Sequence, residues 1–506
     1  MSELVLAIDA GTTGIRSMFF DPSGNVVAQA YSEFESLFPH PSWVEQRADY
    51  WWTKSCDTIH SAMKESRLSP EHVVAISVTN QRETIVPVDS SGKPLRNAIV
   101  WQDRRTVQQC DSIARAVPPD LVYSVTGLTI DPYFSAPKIL WIKEKEAEVF
   151  DRAEKFLLVH DYLIYRLSGE FATDYSNASR TLLFDIRRAD WSDEILGPLG
   201  IPPDKLARPV ESGSQVGGLS PAASKETGLK PGTPVIAGGG DQQCAALGVG
   251  VVREGLIKST TGTGTFLLAH SRTVRRDPGK RVVCSRHVVP NSFVIEASMF
   301  TTGSALRWFR NNLGSEEVSV AEARGVDAYD VITEAAEKVP PGSEGVIHIP
   351  HFAGSGAPNW NPHARGIFAG LALGHTRNHL IRAILEGVSY DIRNNVEVMR
   401  ELGIPVSEVR VTGGAARSRT WMQIQADVLR TPVVRTQMEE ATALGAAILA
   451  FRGVNIFKSI PEAAERMVQL RDRLTPTPET LDVYSREYLN FKALYDAVAD
   501  IRWDED

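Results

Sequence analysis

Apolar residues open the chain as a nearly unbroken run, "LVLAIDA" (Leu4–Ala10), which gives way to "GTTG" and resumes as an apolar stretch from Ser17 to Phe20. Apolar runs of this length bounded by glycines read as two buried strands joined by a tight turn whose backbone points outward. "GNVVAQAYSEF" then alternates apolar and polar positions, as a third strand would. Further on, "ADYWWTKSCDTIHSAMKE" has the spacing of a helix, "VVAISVTN" that of a strand, and "FDRAEKFLLVHDYLIYRLSG" that of one long helix. A similar grammar returns near the middle. "EGLIKSTTGTGTFLLAH" (Glu254–His270) is again strand, Gly/Thr turn and strand. It is followed by helix-like "SALRWFRNNLG", a loop rich in Pro and Gly, and a long helical segment from about Thr376 to Leu402. "EVRVTGG" is a strand entering a glycine turn, and "SRTWMQIQADVLRT" a helix that stops before Pro432. The repetition is structural, with no short sequence period, and it predicts two α/β domains, residues 1–248 and 251–506, flanking a cleft.

Composition narrows the function classes. The 506 residues are 43% hydrophobic, enough for two sizeable cores. A net charge of −8 argues against a nucleic-acid partner, whose footprint is basic. There is neither an uncharged apolar run of membrane-spanning length nor a charged-then-apolar leader at Met1. The four cysteines are scattered without a CxxC pair, which reads as reduced thiols in a cytoplasmic protein.

Several stretches carry candidate chemistry, and each also has an ordinary structural use. "DAGTTGIR" (Asp9–Arg16) puts an acid at a strand end beside N–H-rich glycines and threonine hydroxyls. Such a turn can ring a phosphate while the acid holds a magnesium ion, or it can be a plain hairpin. "TTGTGTF" (Thr260–Phe266) repeats the composition in the other half, and two such loops across a cleft are harder to dismiss. The chain has no GxxxxGK[ST] or GxGxxG motif and none of the protein-kinase motifs. "TNQRETIV" sets Arg82 beside Glu83, as a pocket rim or a solvated turn would. Trp101 ends another apolar run and offers a flat face to a polyol, or a core residue. In "GGGDQQCAALG" (Gly238–Gly248) Asp241 follows three glycines and leads into a small apolar helix, so it is either an N-cap or a general base. "VTGGAARS" (Val411–Ser418) is a glycine turn at a strand's end, where nucleotides often sit in open α/β sheets.

Together these stretches resemble the FGGY family of carbohydrate kinases, of the actin-like (ribonuclease H-like) ATPase fold, over nearly the whole chain. The family's C-terminal signature fits "GIFAGLALGHTRNHLIRAILE", and its N-terminal one fits "YFSAPKILWIKE" and departs only at Lys145. Within the family the blocks "NQRET", "NAIVWQDRRT", "IDPYFSAPK", "GDQQ" and "GSGAPNWNPHARG" are similar to those of the glycerol kinases. "WVEQRADYWW", "GTGTFLLA" and the Tyr-spaced tail look more like pentulose kinases.

The resemblance implies ATP-dependent phosphorylation of a terminal hydroxyl, with glycerol as the expected acceptor and a ketopentose or erythritol-type polyol as the alternative. A chaperone-type actin-like ATPase is the remote one. It implies Asp241 as the general base. Arg82, Glu83, Tyr133, Asp241 and Gln242 would bind the polyol hydroxyls, with Trp101 and Phe266 against its carbon edge. It implies Asp9 at Mg²⁺, and Thr12, Thr13, Arg16 and Thr263 near the ATP phosphates. Gly303 and Gly414 would let the nucleotide lie close to the backbone, beside Arg307 and Ser418. Gly14, Arg307 and Ser418 depart from the glycerol kinase pattern, which commonly has Ser, Gln and Asn there. "GLKPGTPVIAGGG" lacks the Gly-Thr-Arg stretch of a fructose 1,6-bisphosphate site, so that site is expected to be absent. A homodimer or homotetramer is the assembly the resemblance implies.

Overall fold

The computed structural model describes residues 3–503; the outer limits 1 and 506 expected for the two units lie outside that range. Two sheets organise the chain. In the first half, β1 (Leu4–Ala10), β2 (Gly14–Phe20) and β3 (Val26–Glu33) form an antiparallel meander. Helix α1 (Ala48–Ser66) follows, then β4 (Val73–Asn80), α2 (Val159–Ser168), β5 (Gln215–Gly218), β6 (Pro234–Gly240) and α3 (Asp241–Gly248). The sheet order is β5-β6-β4-β1-β2-β3, with β1, β4 and β6 parallel.

The second half repeats this wiring. Its strands are β7 (Gly255–Thr261), β8 (Thr265–Ser271), β9 (Val283–Arg286) and β10 (Phe293–Met299). Then come α4 (Gly303–Asn312), α5 (Arg377–Glu401), β11 (Val406–Thr412), α6 (Arg419–Leu429), β12 (Val433–Thr436), α7 (Ala441–Gly453) and β13 (Leu470–Leu474). The order is β9-β10-β8-β7-β11-β12-β13, with β7, β11 and β12 parallel. Long α5 starts where its sequence demands: Thr376 and His379 form a reciprocal cap that satisfies orphan N–H groups of the first turn.

Two expectations need correction. The second strand begins at Gly14, three residues earlier than the apolar stretch suggests, because Gly14 pairs with Glu33 across the sheet. The single helix expected over "FDRAEKFLLVHDYLIYRLSG" is interrupted by a strand, Lys155–Leu158. That strand pairs with Ile85–Val88 in a small four-stranded sheet, and pairing overrides the helical period.

Strand alternation gives each sheet two buried faces. Leu6, Ile8 and Ala10 of β1 pack under α1 and α2, beside Trp51, Trp52, Tyr162 and Leu163. Val5 and Ala7 face the other way and meet Leu444, Ile448 and Phe451 of α7, a helix from the second half. In return α3, from the first half, lays Ala245 and Ala246 against Leu256, Leu268 and Val294 of the second sheet. The remaining face of that sheet carries α4, α5 and α6. Each half therefore lends the other a helix, α3 in one direction and α7 in the other.

The exchange depends on α3 and α7 touching backbone to backbone. A Cβ on Gly445 would lie 1.9 Å from the carbonyl oxygen of Cys244, and one on Gly248 would lie 1.8 Å from that of Ala441. Neither neighbour can swing aside as a flexible side chain could. Among the described residues no helix is long and apolar enough to cross a membrane, and all four cysteines are free thiols.

The crossing makes a prediction. Gly445→Ala should cost about 1–3 kcal/mol or more through overpacking, seen as a lower denaturation midpoint with both halves still unfolding in one transition. An unchanged midpoint would show that the helices can separate freely.

Candidate active site

The carboxyl ends of β1, β4 and β6 meet those of β7 and β11 at the cleft, and the side-chain periods decide what faces it. On β1 the odd positions Val5 and Ala7 face α7, so Asp9 faces the same side. On the second sheet Lys258 of β7 is paired with Leu268, and Leu268 with Glu296. Thr260, Phe266 and Ser298 form the next rung of that face. Half-buried Phe266 therefore shares a face with buried Lys258 and Glu296.

At the floor of the cleft lies a knot of charge centred on Arg82. Its guanidinium grips Glu296 with two bonds, Nη1 to Oε2 at 2.8 Å and Nη2 to Oε1 at 3.0 Å. Nη1 also donates to Gln243 at 3.2 Å, and Nε lies 3.2 Å from Asp241 Oδ1. Beside it, Arg180 donates from Nε to Glu83 at 2.6 Å. Burial alone would raise the Glu296 pKa, but Arg180 and Arg82 pull it down to about 2. Glu83 is pushed up by burial, against the pull of Arg180 and Arg82, and its backbone is held at a left-handed φ of 65°. Four of these charged side chains are sealed off: Arg82 and Glu83 are 1% exposed, Arg180 2% and Glu296 0%. Asp241 is 31% exposed, and a solvent-side reagent can reach that carboxylate.

Asp241 is the first residue of α3, and Gly240 occupies the cap position before it. Its Oδ1 is ion-paired with Arg82 and accepts from the N–H of Gln242 at 2.7 Å, while Oδ2 accepts from the Gln242 amide at 3.4 Å. The three preceding glycines make room for neighbouring parts of the protein. A Cβ on Gly238 would strike the carbonyl of Val78, one on Gly239 the side chain of Val288, and one on Gly240 the stem of Arg82. At Gly303 a Cβ would meet the Gly262 carbonyl at 2.1 Å, so the start of α4 lies against the Thr260–Phe266 loop. At Gly414 nothing lies within 4 Å, so open space does face that backbone.

One wall of the cleft is aromatic. Trp101 and Tyr133 stack edge to face with centroids 5.6 Å apart, and Trp101 Nε1 donates to Thr12 Oγ1 at 3.0 Å. Burial and the Glu83 charge raise the Tyr133 phenol pKa, so it stays protonated and can donate. The Tyr133 turn is clamped by Lys138, whose buried ammonium donates to the carbonyls of Pro132, Tyr133 and Phe134.

At the mouth, Arg16 is ion-paired with Glu440 of the second half at 2.7 Å and lies over the Tyr31 ring. Tyr31 also explains Gly14, because a Cβ there would sit 2.6 Å from its hydroxyl. Burial pushes the Asp9 carboxyl up to about 7, helped by the Asp241 and Glu440 carboxylates and opposed by Arg16. Thr13 and Thr263 are exposed on their loops, and the Thr263 carbonyl caps the start of α4. Ser418 caps α6 through its hydroxyl. Arg307 is exposed.

Sequence reading missed Arg180, Glu296 and Lys258, each more than ten residues from any motif member it touches. A charged residue inside an apolar strand, as in "FVIEASM", is the one signal that marks Glu296. A second ligand-like cluster, Glu344, His375 and His379, comes together within 4.8 Å. Both imidazoles accept a backbone N–H at Nδ1, from Ala372 at 2.8 Å and Thr376 at 3.0 Å. A neutral ring then carries its proton on Nε2 and has no lone pair left for an ion, so the cluster is structural.

The model of the FGGY carbohydrate kinase N-terminal domain matches residues 4–248, and that of the C-terminal domain matches residues 257–454. A glycerol kinase of Thermococcus gammatolerans is 39% identical over 468 residues, 91% of each chain. Among solved structures, a xylulose kinase from Rhodospirillum rubrum superposes with a TM-score of 0.90 at 28% identity, covering 98% of this chain and 99% of that one. A Plasmodium falciparum glycerol kinase with ADP gives 0.88 at 26% identity, covering 99% of each. The chain belongs to the FGGY family of carbohydrate kinases.

Proposed function

We propose that this enzyme transfers the γ-phosphoryl group of ATP to a terminal hydroxyl of glycerol or a closely similar small polyol, with residues 1–248 and 251–506 as the two closing units. The observation that carries the reading is one reachable carboxylate, Asp241, fixed by a buried arginine at the floor of the cleft. Relatives named as glycerol kinases support the choice of acceptor. A relative named as a xylulose kinase, alike in fold, supplies the alternative of a ketopentose.

In this reading the chemistry falls to Asp241 Oδ2. Oδ1 lies against Arg82 and accepts from the Gln242 backbone, whereas Oδ2 accepts only the long 3.4 Å contact from the Gln242 amide and keeps a lone pair for the proton of the attacking hydroxyl. The O–H bond breaks as the hydroxyl oxygen bonds phosphorus, and the bond from phosphorus to the leaving ADP oxygen breaks with its electron pair going to ADP. Arg82 donates three hydrogen bonds to Gln243 and Glu296 and pairs its Nε with Asp241, which leaves N–H capacity for a substrate hydroxyl. Glu83 Oε2, Tyr133 and Gln242 supply the other polar contacts, and Trp101 and Phe266 the apolar ones. Thr12, Thr13, Arg16 and Thr263 would meet the phosphates, while Gly303, Gly414, Arg307 and Ser418 flank the rest of the nucleotide.

Asp9 is a buried carboxyl whose proton is favoured by burial and by the charges of two further carboxylates, Asp241 and Glu440, and an oxygen donor in so negative a field fits Mg²⁺. Asp9 would hold the ion, directly or through water, and the ion would neutralise phosphate charge. Arg16 would have to exchange Glu440 for a phosphate.

Measured as ADP release, kcat/KM should be highest for glycerol in a panel with erythritol, dihydroxyacetone, xylulose, ribulose and gluconate; preference for a ketopentose would overturn the acceptor. Asp241→Asn should lower kcat by about 10²–10⁴-fold with little change in the glycerol KM, and near-normal turnover would remove Asp241 as the base. Asp9→Asn should abolish most turnover yet stabilise the metal-free protein. The wild-type carboxyl, near 7 folded and 3.8 unfolded, ionises at a cost to the fold as pH rises through that interval. The amide never ionises, so its gain in thermal midpoint under chelator should grow from pH ~4 to pH ~7 and then level off. A gain independent of pH would contradict the crowded carboxylates.

A further inference from the structure

We propose that Lys258 is a positioning residue of the transfer site: its ammonium fixes the Gln242 carboxamide so that the amide N–H groups, not the carbonyl, face Asp241 and the acceptor. The proposal rests on the functional reading above. Lys258 lies on β7 of the second half, is 0% exposed, and donates from Nζ to Gln242 Oε1. The two ends of a carboxamide have nearly the same shape, so its orientation is decided by the partners it finds. Burial lowers the Lys258 pKa to about 7 while the Glu296 and Asp241 charges favour its proton, and the ammonium so held can only donate and selects the carbonyl end. The NH₂ end is then turned to Asp241 Oδ2, 3.4 Å away, and its second N–H meets no acceptor among the described residues.

The opposite orientation would set a carbonyl oxygen against a carboxylate. Both are acceptors, so Oδ2 would lose its donor and the acceptor hydroxyl would lose an N–H beside the base. The hydrogen bonds of Glu296 do not need Lys258, because Arg82 grips both oxygens of that carboxylate and Arg180 lies 3.5 Å from one of them, although the Lys258 charge also favours the ionised Glu296. The Lys258–Gln242 bond also joins the two halves, so the amide is correctly turned when β7 and α3 are seated together.

The test is a double-mutant cycle on the full-length enzyme, with kcat and KM read separately for glycerol and for ATP. Lys258→Met should lower kcat/KM for glycerol on the order of 10²-fold, as misplacement of a site group does, and leave the ATP KM within about twofold of wild type. Lys258→Arg should recover much of the loss. The double variant Lys258→Met/Gln242→Leu should be no worse than Gln242→Leu alone, because the lysine acts through the amide. Multiplying losses, or a lower melting midpoint with unchanged glycerol kinetics, would overturn the proposal. Gln242→Glu serves if Lys258→Met does not fold: it keeps an oxygen for Lys258 but has no N–H for Asp241, so full activity in that variant would also overturn it. Preference of the wild type for a ketopentose overturns the acceptor reading alone, and the cycle is then read on that substrate. Absence of turnover on every acceptor overturns both.

Discussion

Arg82 holds the active site together by spending one buried charge in two directions. Its forked face closes on Glu296, which belongs to the other half, and its Nε steadies Asp241 at the start of α3. A fully buried guanidinium and carboxylate are tolerable only because each satisfies the other, and deleting one partner of such a pair typically costs about 3–5 kcal/mol. The carboxylate exposed to the cleft is thus mounted on an interaction that also joins the two sheets. The seating of the two halves on each other and the placement of Asp241 therefore depend on the same side chain.

Much of the frame could be read from the sequence, since strands whose faces are both buried appear as apolar runs and the turns between them as glycine and threonine. β4, β7, β11 and α5 fall where the pattern puts them. The strand Lys155–Leu158 escaped because four residues of a long helical period cannot announce a partner some seventy positions away. The exchange of α3 and α7 escaped for a related reason: alanine-rich helices that are apolar all round show that they are buried, not against what.

The site was legible in its parts and opaque in its wiring. Asp241, Arg82, Glu83, Tyr133, Gln242 and Trp101 do come together around the cleft floor. Arg180, Glu296 and Lys258, which orient them, sit in stretches with no motif of their own, and their value exists only once the chain has folded. The glycines before Asp241 show the converse. Their presence was conspicuous, but which neighbour needed the space could be learned only from Val78, Val288 and the Arg82 stem.

The lending of helices between halves has a consequence for biosynthesis. During translation the first sheet is complete long before α7 leaves the ribosome, and until then Val5, Ala7 and Met18 have no cover. The nascent first half must wait as a sticky, half-covered intermediate, a natural client for a chaperone. Cutting the gene between the halves would yield two fragments that each lack a wall, and neither would be a domain in the sense of a piece that folds alone.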